Sequence, residues 1–368
     1  MNTFNLRNSW TITGPWIAGF TDAEGCFSIS IIGDKVNTMQ VRCDFTLCQK
    51  DESTLLKCKA FFDNQIQKLG TKEPMLQDFK PKKDGSYYLK ISRQTILLQV
   101  IKPLFQECPL LSEKFQDYQL FFAVLEIYTN PNLEKRVRVL YAAYLMFAMN
   151  TKGNQRKRNL NDYERILKPA FKSDHEWDIA LSQVLKYKQD VLSIPFVDFN
   201  KPGILSDDYI VGLIVGDGSF QSYFAMSKTR PGILQRTFDL TLEVADQNLL
   251  LFYAIERYMG ITWVIKRPKK EKKICGVTKQ RNQLDNIIKP FFQKNRDKLP
   301  DFAKKSFLMW ECAEEINVLL KDRANFSTNK TRLIELITKV YYKSDDGARR
   351  KNSLETVINH LFRSNYLE

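Results

Sequence analysis

The sequence predicts an α+β fold built from two copies of one domain. Residues 17–25 read IAGFTDAEG, and a related string, IVGLIVGDG, occupies residues 210–218, 193 positions later. Each string is apolar, contains an internal glycine, and ends on a carboxylate followed by a glycine. The same order of strand and helix patterns follows each of them. A repeat of about half of the 368-residue chain indicates a duplicated domain.

The correspondence continues beyond these strings. Residues 44–47 (DFTL) match 239–242 (DLTL), and 101–105 (IKPLF) match 288–292 (IKPFF). The basic segments 156–159 (RKRN) and 349–352 (RRKN) also correspond. Residues from about 171 to 200 have no counterpart; they predict a helix over 174–189 and then linker residues Pro195, Pro202 and Gly203. We therefore predict a first domain at 1–170, a linker with a helix at 171–203, and a second domain at 204–368.

Each repeat predicts helix, strand, strand, helix, strand, strand and two closing helices. Thr13 and Ser206 are suitable N-caps for the two motif helices. Gly25 and Gly218 are expected to end those helices with left-handed backbone.

Alternating polar and apolar residues predict the strands that follow each motif helix. In the first repeat, residues 83–86 (KDGS) predict a hairpin turn, whereas the second repeat carries the basic run 267–273 (RPKKEKK). The segments 96–105 and 115–128 are amphipathic and are expected to cover the apolar face of the sheet.

The charge of the chain points to a polyanionic partner. Lys and Arg number 56 and Asp and Glu 42, which gives a net charge of +14. DNA or RNA fits this excess, because each neutralised phosphate releases counterions. A membrane surface is the competing polyanion, but no apolar segment reaches the length of a membrane span.

The histidine and cysteine content restricts the chemistry. His175 and His360 are the two histidines, which argues against a histidine zinc site or a Ser-His-Asp triad in each half. The seven cysteines are odd in number and form no C-x-x-C pair, so free thiols in a reducing compartment are favoured over disulfides.

The solvent face of the predicted sheets carries an unusual set of hydrogen-bonding side chains. An ordinary solvated face would explain them, but the pattern recurs in both repeats and is bordered by lysines. A two-stranded ribbon fits the major groove, and such side chains distinguish base edges there. We predict DNA contacts from Ser28, Ser30, Gln40, Arg42, Asp44, Thr46, Tyr88 and Lys90; from Gln221, Tyr223, Gln235, Thr237, Asp239, Thr241 and Glu243; and from bordering Lys80, Lys82, Lys83, Arg267, Lys269 and Lys270. The basic segments at 156–158 and 349–351 are either further phosphate contacts or solvated charge.

Glu24 and Asp217 are the candidate catalytic acids. A carboxylate at the C-terminal end of a helix, near DNA phosphates, is electrostatically unfavourable unless a cation is present. A divalent ion would bridge acid and phosphate and activate a water, and oxygen ligands favour Mg²⁺. The alternative is that both acids are merely helix-end residues. Gly19 and Gly212 would let the motif helices pack closely, bringing one acid to each DNA strand.

These residues resemble the single-chain, two-motif LAGLIDADG homing endonucleases of organellar introns. The resemblance covers both repeats. It implies a pseudo-twofold tandem of αββαββα domains with saddle-shaped antiparallel sheets and the motif helices at the domain interface. It implies a monomer that cuts a long asymmetric double-stranded DNA target in a mitochondrion or chloroplast, with Mg²⁺ that Ca²⁺ or Mn²⁺ could replace. It implies that Glu24 and Asp217 bind metal, supported by Gln49 and by the basic residues Lys114 and, from internal alignment, Lys305.

The two halves depart from each other at the site. Asp22 of the first motif corresponds to Val215, and Gln49 corresponds to Val244. We therefore expect two inequivalent active sites. One alternative function is an intron RNA maturase on the same fold with weak or lost cleavage. A second is a DNA-binding regulator without catalysis, although no helix-turn-helix, zinc-finger or RNA-recognition pattern supports it.

Overall fold

The computed structural model describes residues 10–70, 76–77, 79–149, 156–225, 233–267, 272–342 and 353–366. The chain forms two compact units. One contains Ile12–Leu213 with Ala245–Leu251, and the other contains Ile214–Val244 and the described residues from Phe252 onward. The predicted boundaries at 170 and 203 follow the sequence repeat, whereas the first compact unit also includes the linker helix and the start of the second motif helix.

The first repeat begins with its motif helix and a hairpin, as predicted. Thr13 is the N-cap of the first helix and its side chain accepts a hydrogen bond from the Trp16 backbone N–H. Asp51 caps the helix that follows the hairpin, where it accepts a hydrogen bond from the Thr54 N–H. The elements are α1 (Gly14–Glu24), β1 (Gly25–Ile32), β2 (Gln40–Gln49), α2 (Glu52–Lys68), β3 (Tyr87–Ile91), α3 (Gln94–Ile96), α4 (Lys102–Glu107), α5 (Lys114–Thr129), α6 (Lys135–Ala148), α7 (Leu160–Leu167) and α8 (Asp174–Leu192).

The second repeat follows the same order. Ser206 accepts a hydrogen bond from the Tyr209 N–H, which confirms it as the N-cap residue. In both repeats a five-residue π-helical turn joins the two short helices after the sheet, at Leu97–Ile101 and Leu284–Ile288. The elements are α9 (Asp207–Asp217), β4 (Gly218–Ala225), β5 (Ile233–Glu243), α10 (Asp246–Met259), β6 (Val264–Lys266), β7 (Lys273–Thr278), α11 (Arg281–Gln283), α12 (Lys289–Lys294), α13 (Asp301–Lys321), α14 (Phe326–Tyr341) and α15 (Leu354–Tyr366).

Both sheets are antiparallel, with strand order β1-β2-β3 in the first and β4-β5-β7-β6 in the second. The second repeat therefore has the predicted αββαββα order. The first departs from it, because the segment before the hairpin turn forms no strand within its described residues. The turn itself is as predicted: the Gly85 N–H donates to the Lys82 carbonyl at 2.9 Å, and Gly85 has a φ of 79°.

An aromatic cluster fixes each sheet against its closing helices. Phe27 of β1 lies 5.3 Å from Phe121 of α5 and 5.9 Å from Tyr118, measured between ring centroids. Phe220 of β4 lies 5.1 Å from Phe307 and 5.8 Å from Trp310 of α13. Phe27, Phe45, Phe220 and Phe238 face inward and are buried, so the closing helices cover the apolar face as the alternation predicts. No helix within the described ranges has both the length and the apolarity that crossing a membrane would require.

Candidate active site

The first motif helix packs closely against the start of the second. A Cβ added to Gly19 would lie 2.0 Å from the Tyr209 carbonyl oxygen, and one added to Gly212 would lie 2.1 Å from the Trp16 carbonyl oxygen. Thr13 donates a hydrogen bond to the Asp208 carboxylate at 2.5 Å. The glycines therefore serve close backbone contact between α1 and residues 209–213, as the sequence predicted.

The glycines that follow the acids have a different role from the predicted one. Gly25 has a φ of −80° and a ψ of 152°, which is extended rather than left-handed backbone. A Cβ there would lie 2.4 Å from Thr21 Cγ2, and one on Gly218 would lie 2.5 Å from Ile214 Cγ2. The prediction of left-handed backbone at these positions was wrong. Glycine is required because the chain turns from helix into strand against the preceding helical turn.

Asp22 is a buried structural acid. Its carboxylate accepts hydrogen bonds from the Leu111 N–H at 2.6 Å, from the Tyr209 hydroxyl at 2.6 Å and from the Ser112 hydroxyl. Burial raises the pKa of Asp22, and the donors Ser112, Tyr209 and Leu111 oppose that shift. Asp22 thus ties α1 to the residues before α5 and to the start of α9. Its counterpart Val215 is buried and apolar.

Glu24 is the last residue of α1 and is half-buried. Lys114, the first residue of α5, directs its Nζ to the carbonyl oxygens of Thr21 and Ala23 at 3.2 and 2.6 Å. The ammonium therefore lies beside the negative end of the helix that carries Glu24, where a cation is favourable. A role for Lys114 in the site stays a prediction.

Asp217 has the same position in the second repeat, as the last residue of α9 before β4, and is also half-buried. Gln49 ends β2, and its side-chain oxygen accepts the Lys50 N–H at 2.8 Å. The sequence alignment makes Val244, 44% exposed just after β5, its counterpart, but the registers that pair Gly25 with Leu47 and Gly218 with Leu240 place the buried Leu242 there instead. The described residues thus keep one acid per half and place a polar amide at the strand end in the first half.

Lys305 lies elsewhere than the internal alignment predicted. The aromatic contacts of Phe27 and Phe220 pair Phe121 with Trp310, and this pairing sets Lys114 opposite Ala303 rather than Lys305. Lys305 is exposed on α13 and lines a surface groove with Lys289 and Gln293. We correct the assignment for this reason and do not place Lys305 in the site.

The first sheet presents most of the predicted polar face. The cross-strand pairs are Ser28 with Asp44, Ser30 with Arg42 and Thr46 with Lys90. The serines, Arg42, Gln40 and Lys90 are exposed, and Thr46 and Tyr88 are half-buried. Asp44 is 7% exposed and forms an ion pair with Lys90 at 2.6 Å, so its carboxylate is not open to a base edge.

The second sheet presents a more acidic face. Tyr223 donates its hydroxyl hydrogen to Gln235 at 2.5 Å, and Gln221 pairs with Thr237 across the strands. Thr237 is 4% exposed, so it is too buried to be the base contact that was predicted. Gln221, Tyr223 and Glu243 are exposed, and Gln235, Asp239 and Thr241 are half-buried. Burial raises the pKa of Asp239, and Lys266 and Lys279 oppose the shift.

The basic residues divide into open and engaged groups. Lys80, Lys82, Lys83 and Arg267 are exposed, and Lys82 Nζ lies 3.5 Å from the Tyr88 ring centroid. Arg156 donates to the Met146 and Met149 carbonyls at 2.8 Å, and Arg158 donates to the Gly33 carbonyl at 2.6 Å. Arg156 and Arg158 therefore brace the end of α6 and the β1–β2 turn. Lys269, Lys270 and residues 349–351 lie outside the described residues.

The structure contains two polar clusters that the sequence patterns do not predict. The first is the set of donors around Asp22, because Leu111, Ser112 and Tyr209 are remote in sequence. The second surrounds Arg236, whose side chain is 4% exposed on the inner face of β5. It pairs with Asp285 and with Glu314, the latter at 3.5 Å, and stacks over Trp310. The one available signal was an arginine at an inward strand position, where the first repeat has Cys43.

The metal-binding capacity of the site is limited to carboxylates. Within the described ranges, no three His, Cys, Asp or Glu side chains cluster closely enough to hold a metal ion. One helix-end carboxylate per half fits an ion that keeps several waters and takes its other oxygens from a substrate phosphate, as Mg²⁺ does. All seven cysteines are free thiols, as predicted.

Comparison with known proteins identifies the fold and family. The sequence pattern of the LAGLIDADG endonucleases matches residues 17–125 and 210–310. "Probable intron-encoded endonuclease 2" of Neurospora crassa is 23% identical over 345 residues, covering 89% of this chain and 65% of that protein. "Probable intron-encoded endonuclease 4" of the same fungus is 30% identical over 130 residues, covering 32% of this chain and 22% of that protein. The chain thus spans less than two thirds of the length of these relatives.

Solved structures share the fold over most of the chain. I-SmaMI, a LAGLIDADG homing endonuclease solved bound to cleaved DNA, has a TM-score of 0.61 at 19% identity, covering 93% of this chain and 98% of that one. I-SmaMI bound to uncleaved DNA target in the presence of calcium ions has a TM-score of 0.63 at 18% identity, covering 92% and 100%. I-GzeII in complex with its DNA target gives 0.63 at 17% identity, with coverage of 92% and 100%. With both motif regions matched, this chain belongs to the LAGLIDADG endonuclease family.

Proposed function

We propose that this protein is a homing endonuclease that hydrolyses one phosphodiester on each strand of a specific double-stranded DNA. The observation that carries the proposal is the repeated placement of a half-buried acid between a motif helix and an exposed polar sheet. Glu24 and Asp217 each end a motif helix and directly precede the first strand of their sheet. A sheet that binds DNA through its polar face would thus present an acid at one end of the same strand.

The acids would hold a divalent cation, with Mg²⁺ as the proposed ion. When bound, the ion would supply Lewis-acid stabilisation of the phosphate and a more acidic water. The Glu24 carboxylate would be the protein ligand in the first half, and the Asp217 carboxylate in the second. Lys114 would stabilise the end of α1 and add positive charge near the scissile phosphate. Gln49 would orient a water or a ligand in the first half through its amide.

DNA recognition would use the two sheets differently. Arg42, Gln40 and Lys90 make the first face rich in donors, which suits the acceptors of guanine in the major groove. The second face offers Gln221, Gln235 and Glu243, with Lys273 opposite Glu243 across the strands, and its acceptor oxygens suit the exocyclic amines of adenine and cytosine. This difference supports an asymmetric target. The net charge of +14 supports phosphate contacts that any sequence would provide.

An intron RNA maturase remains the second candidate, because the curated relatives are named as intron-encoded. Both acids are retained, which favours cleavage over splicing alone. Relatives encoded in fungal introns also favour a mitochondrial location over a chloroplast. Splicing of the host intron RNA with and without the protein would separate the two activities.

The test of the proposed function is selection of cleaved sequences from a randomised double-stranded DNA library, with and without Mg²⁺. The selected site is then offered to Glu24→Gln and Asp217→Asn. Each variant should lose double-strand cleavage and retain DNA binding, because the acid would hold the metal ion whereas the sheet faces would bind the DNA. Glu52→Gln, an exposed acid at the start of α2, is the matched control and should cleave normally. Double-strand cleavage by either helix-end variant at the wild-type rate would refute the assignment.

A further inference from the structure

The outer side of α5 and the outer side of α13 carry equivalent grooves. The first groove is lined by Lys102 and Gln106 of α4 and by Tyr118, Phe122 and Glu126 of α5. The second groove is lined by Lys289 and Gln293 of α12 and by Leu308, Cys312 and Val318 of α13. An ion pair spans each: Lys102 with Glu126 in the first, and Lys289 with Glu314 at 2.8 Å in the second. Each repeat therefore contains a groove of this kind.

The first groove is filled by the linker helix. Tyr187 and Val191 of α8, with Ile194 just after it, line the groove, and the Phe196 ring lies 5.4 Å from that of Phe115. The cavity left there is about 370 Å³, against about 740 Å³ in the second groove. No helix within the described residues lines the second groove in the way that α8 lines the first.

The second groove exposes two large apolar side chains on α13, whereas the first exposes Ile194, at 41%, after α8. Leu308 is 41% exposed and Val318 is 50% exposed. With Cys312 they follow one face of α13 at spacings of four and six residues, beside Leu336 of α14. Neighbouring exposed apolar side chains with a polar rim are typical of a protein-binding surface.

The rim charges indicate the sign of the partner. Glu315 is paired with Arg332 at 3.0 Å, Glu314 with Lys289, and Glu311 accepts a hydrogen bond from Gln293 at 2.7 Å. Lys305 and Lys339 also line the groove, and neither forms an ion pair within the part of the chain that is described. The amide of Gln293 is neutral, so Glu311 keeps its charge, and with Lys305 and Lys339 the unpaired rim residues carry a net positive charge.

We propose that the second groove binds an amphipathic helix of a protein partner, with apolar residues spaced like Tyr187, Val191 and Ile194 and with acidic residues along its flank. The precedent is within this chain, where a helix with that spacing occupies the equivalent groove. Nucleic acid is a poorer occupant, because the floor is apolar and most of the rim charges are already paired. The proposal is independent of DNA cleavage.

Two synthetic peptides test it by fluorescence anisotropy against the full chain. The first has the sequence of residues 174–195, and the second is the same peptide with Lys186→Glu and Lys188→Glu. The chain's own α8 stays in the first groove because its tether gives it a high effective concentration. The acidic peptide should bind saturably and, on an opposite-charge rim, at least about threefold more tightly than the first peptide.

The variant Leu308→Asp with Val318→Asp should weaken peptide binding by about tenfold or more, since it places two charges on the apolar floor. Leu56→Asp, on an equally exposed leucine of α2, is the control and should not alter binding. Both variants should keep wild-type DNA cleavage and melting temperature, which separates this proposal from the proposed function. Absence of saturable binding, or equal binding by the double variant, would overturn it. So would displacement of the peptide by random single-stranded RNA that also binds the double variant.

Discussion

At the scale of single residues, the two acids of the first motif have separate roles. Asp22 and Glu24 are two positions apart, yet Asp22 is 3% exposed and surrounded by donors whereas Glu24 is half-buried at the helix end. A buried carboxylate with three hydrogen bonds supports the structure, and an accessible one can bind a cation. The second motif keeps only the accessible acid, Asp217, and replaces the buried one with Val215.

The pKa of Asp22 predicts a pH effect on stability. Because burial raises its folded-state pKa, Asp22 favours the native state when protonated, and this contribution is lost as pH rises through the folded value. The free energy of unfolding of wild type, relative to Asp22→Asn, should therefore fall as pH rises above about 4, the ordinary pKa of aspartate. Urea denaturation of both proteins at several pH values measures it. A difference that does not change with pH would contradict the prediction.

Lys114 predicts a combined effect on stability and cleavage. Lys114→Met should lower the free energy of unfolding by about 1–2 kcal/mol, because two carbonyls at the end of α1 lose a charged donor. The cleavage rate should fall by about tenfold or more, because the variant lacks the ammonium that would lie near the reacting phosphate in the proposed function. Single-turnover kinetics at saturating protein provide the rate. Lys186→Met, an exposed lysine on α8, should change neither quantity.

At the scale of elements, the motif helix and its strand form one unit. α1 runs directly into β1, and α9 into β4, with a glycine at each junction. The close approach of α1 to residues 209–213 fixes α1 against α9, and the hydrogen bonds of Asp22 to Leu111 and Ser112 fix its end relative to the residues before α5. The position of Glu24 therefore depends on helix packing as well as on its own sequence.

Gly212→Ala tests that packing. The added Cβ would lie 2.1 Å from a backbone oxygen, which cannot move away as a flexible side chain could. Overpacking should lower the free energy of unfolding by about 2–3 kcal/mol, despite the higher helix propensity of alanine. Gly70→Ala is the matched control, because a Cβ added there would meet nothing within 4 Å. Its cost would come from the positive φ of 64° alone. It should cost about 1–2 kcal/mol. Equal losses in thermal or urea denaturation would argue against the packing role.

At the scale of the whole molecule, duplication has produced halves that are alike in fold and unlike in detail. Within the described residues the first sheet has three strands and a face rich in donors, and the second has four strands and a face that includes Asp239 and Glu243. The first half fills its outer groove with α8, and the second leaves its groove exposed. Each difference is a local substitution or insertion on a shared core of aromatic residues.

This asymmetry predicts unequal cleavage of the two DNA strands. In the proposed function Gln49 supports the first site and an apolar residue takes its place in the second, so the strand served by Asp217 should be cut more slowly. A supercoiled plasmid carrying the target should pass through a nicked intermediate. Gln49→Val should slow the faster strand and bring the two rates closer. Simultaneous cutting of both strands by wild type, measured with end-labelled DNA, would contradict the prediction.

The amino-acid sequence alone determined the duplication, the motif helices with their N-caps, the polar sheet faces, the helix over 174–189 and the positions of Glu24 and Asp217. These follow from spacing and periodicity, which are local properties. The tertiary structure alone decided the burial of Asp22, Asp44 and Thr237, the true role of Gly25, the displacement of Lys305 and the exposed groove on α13. Each of these depends on contacts between segments that are remote in sequence. Local spacing and periodicity do not indicate which segments are in contact.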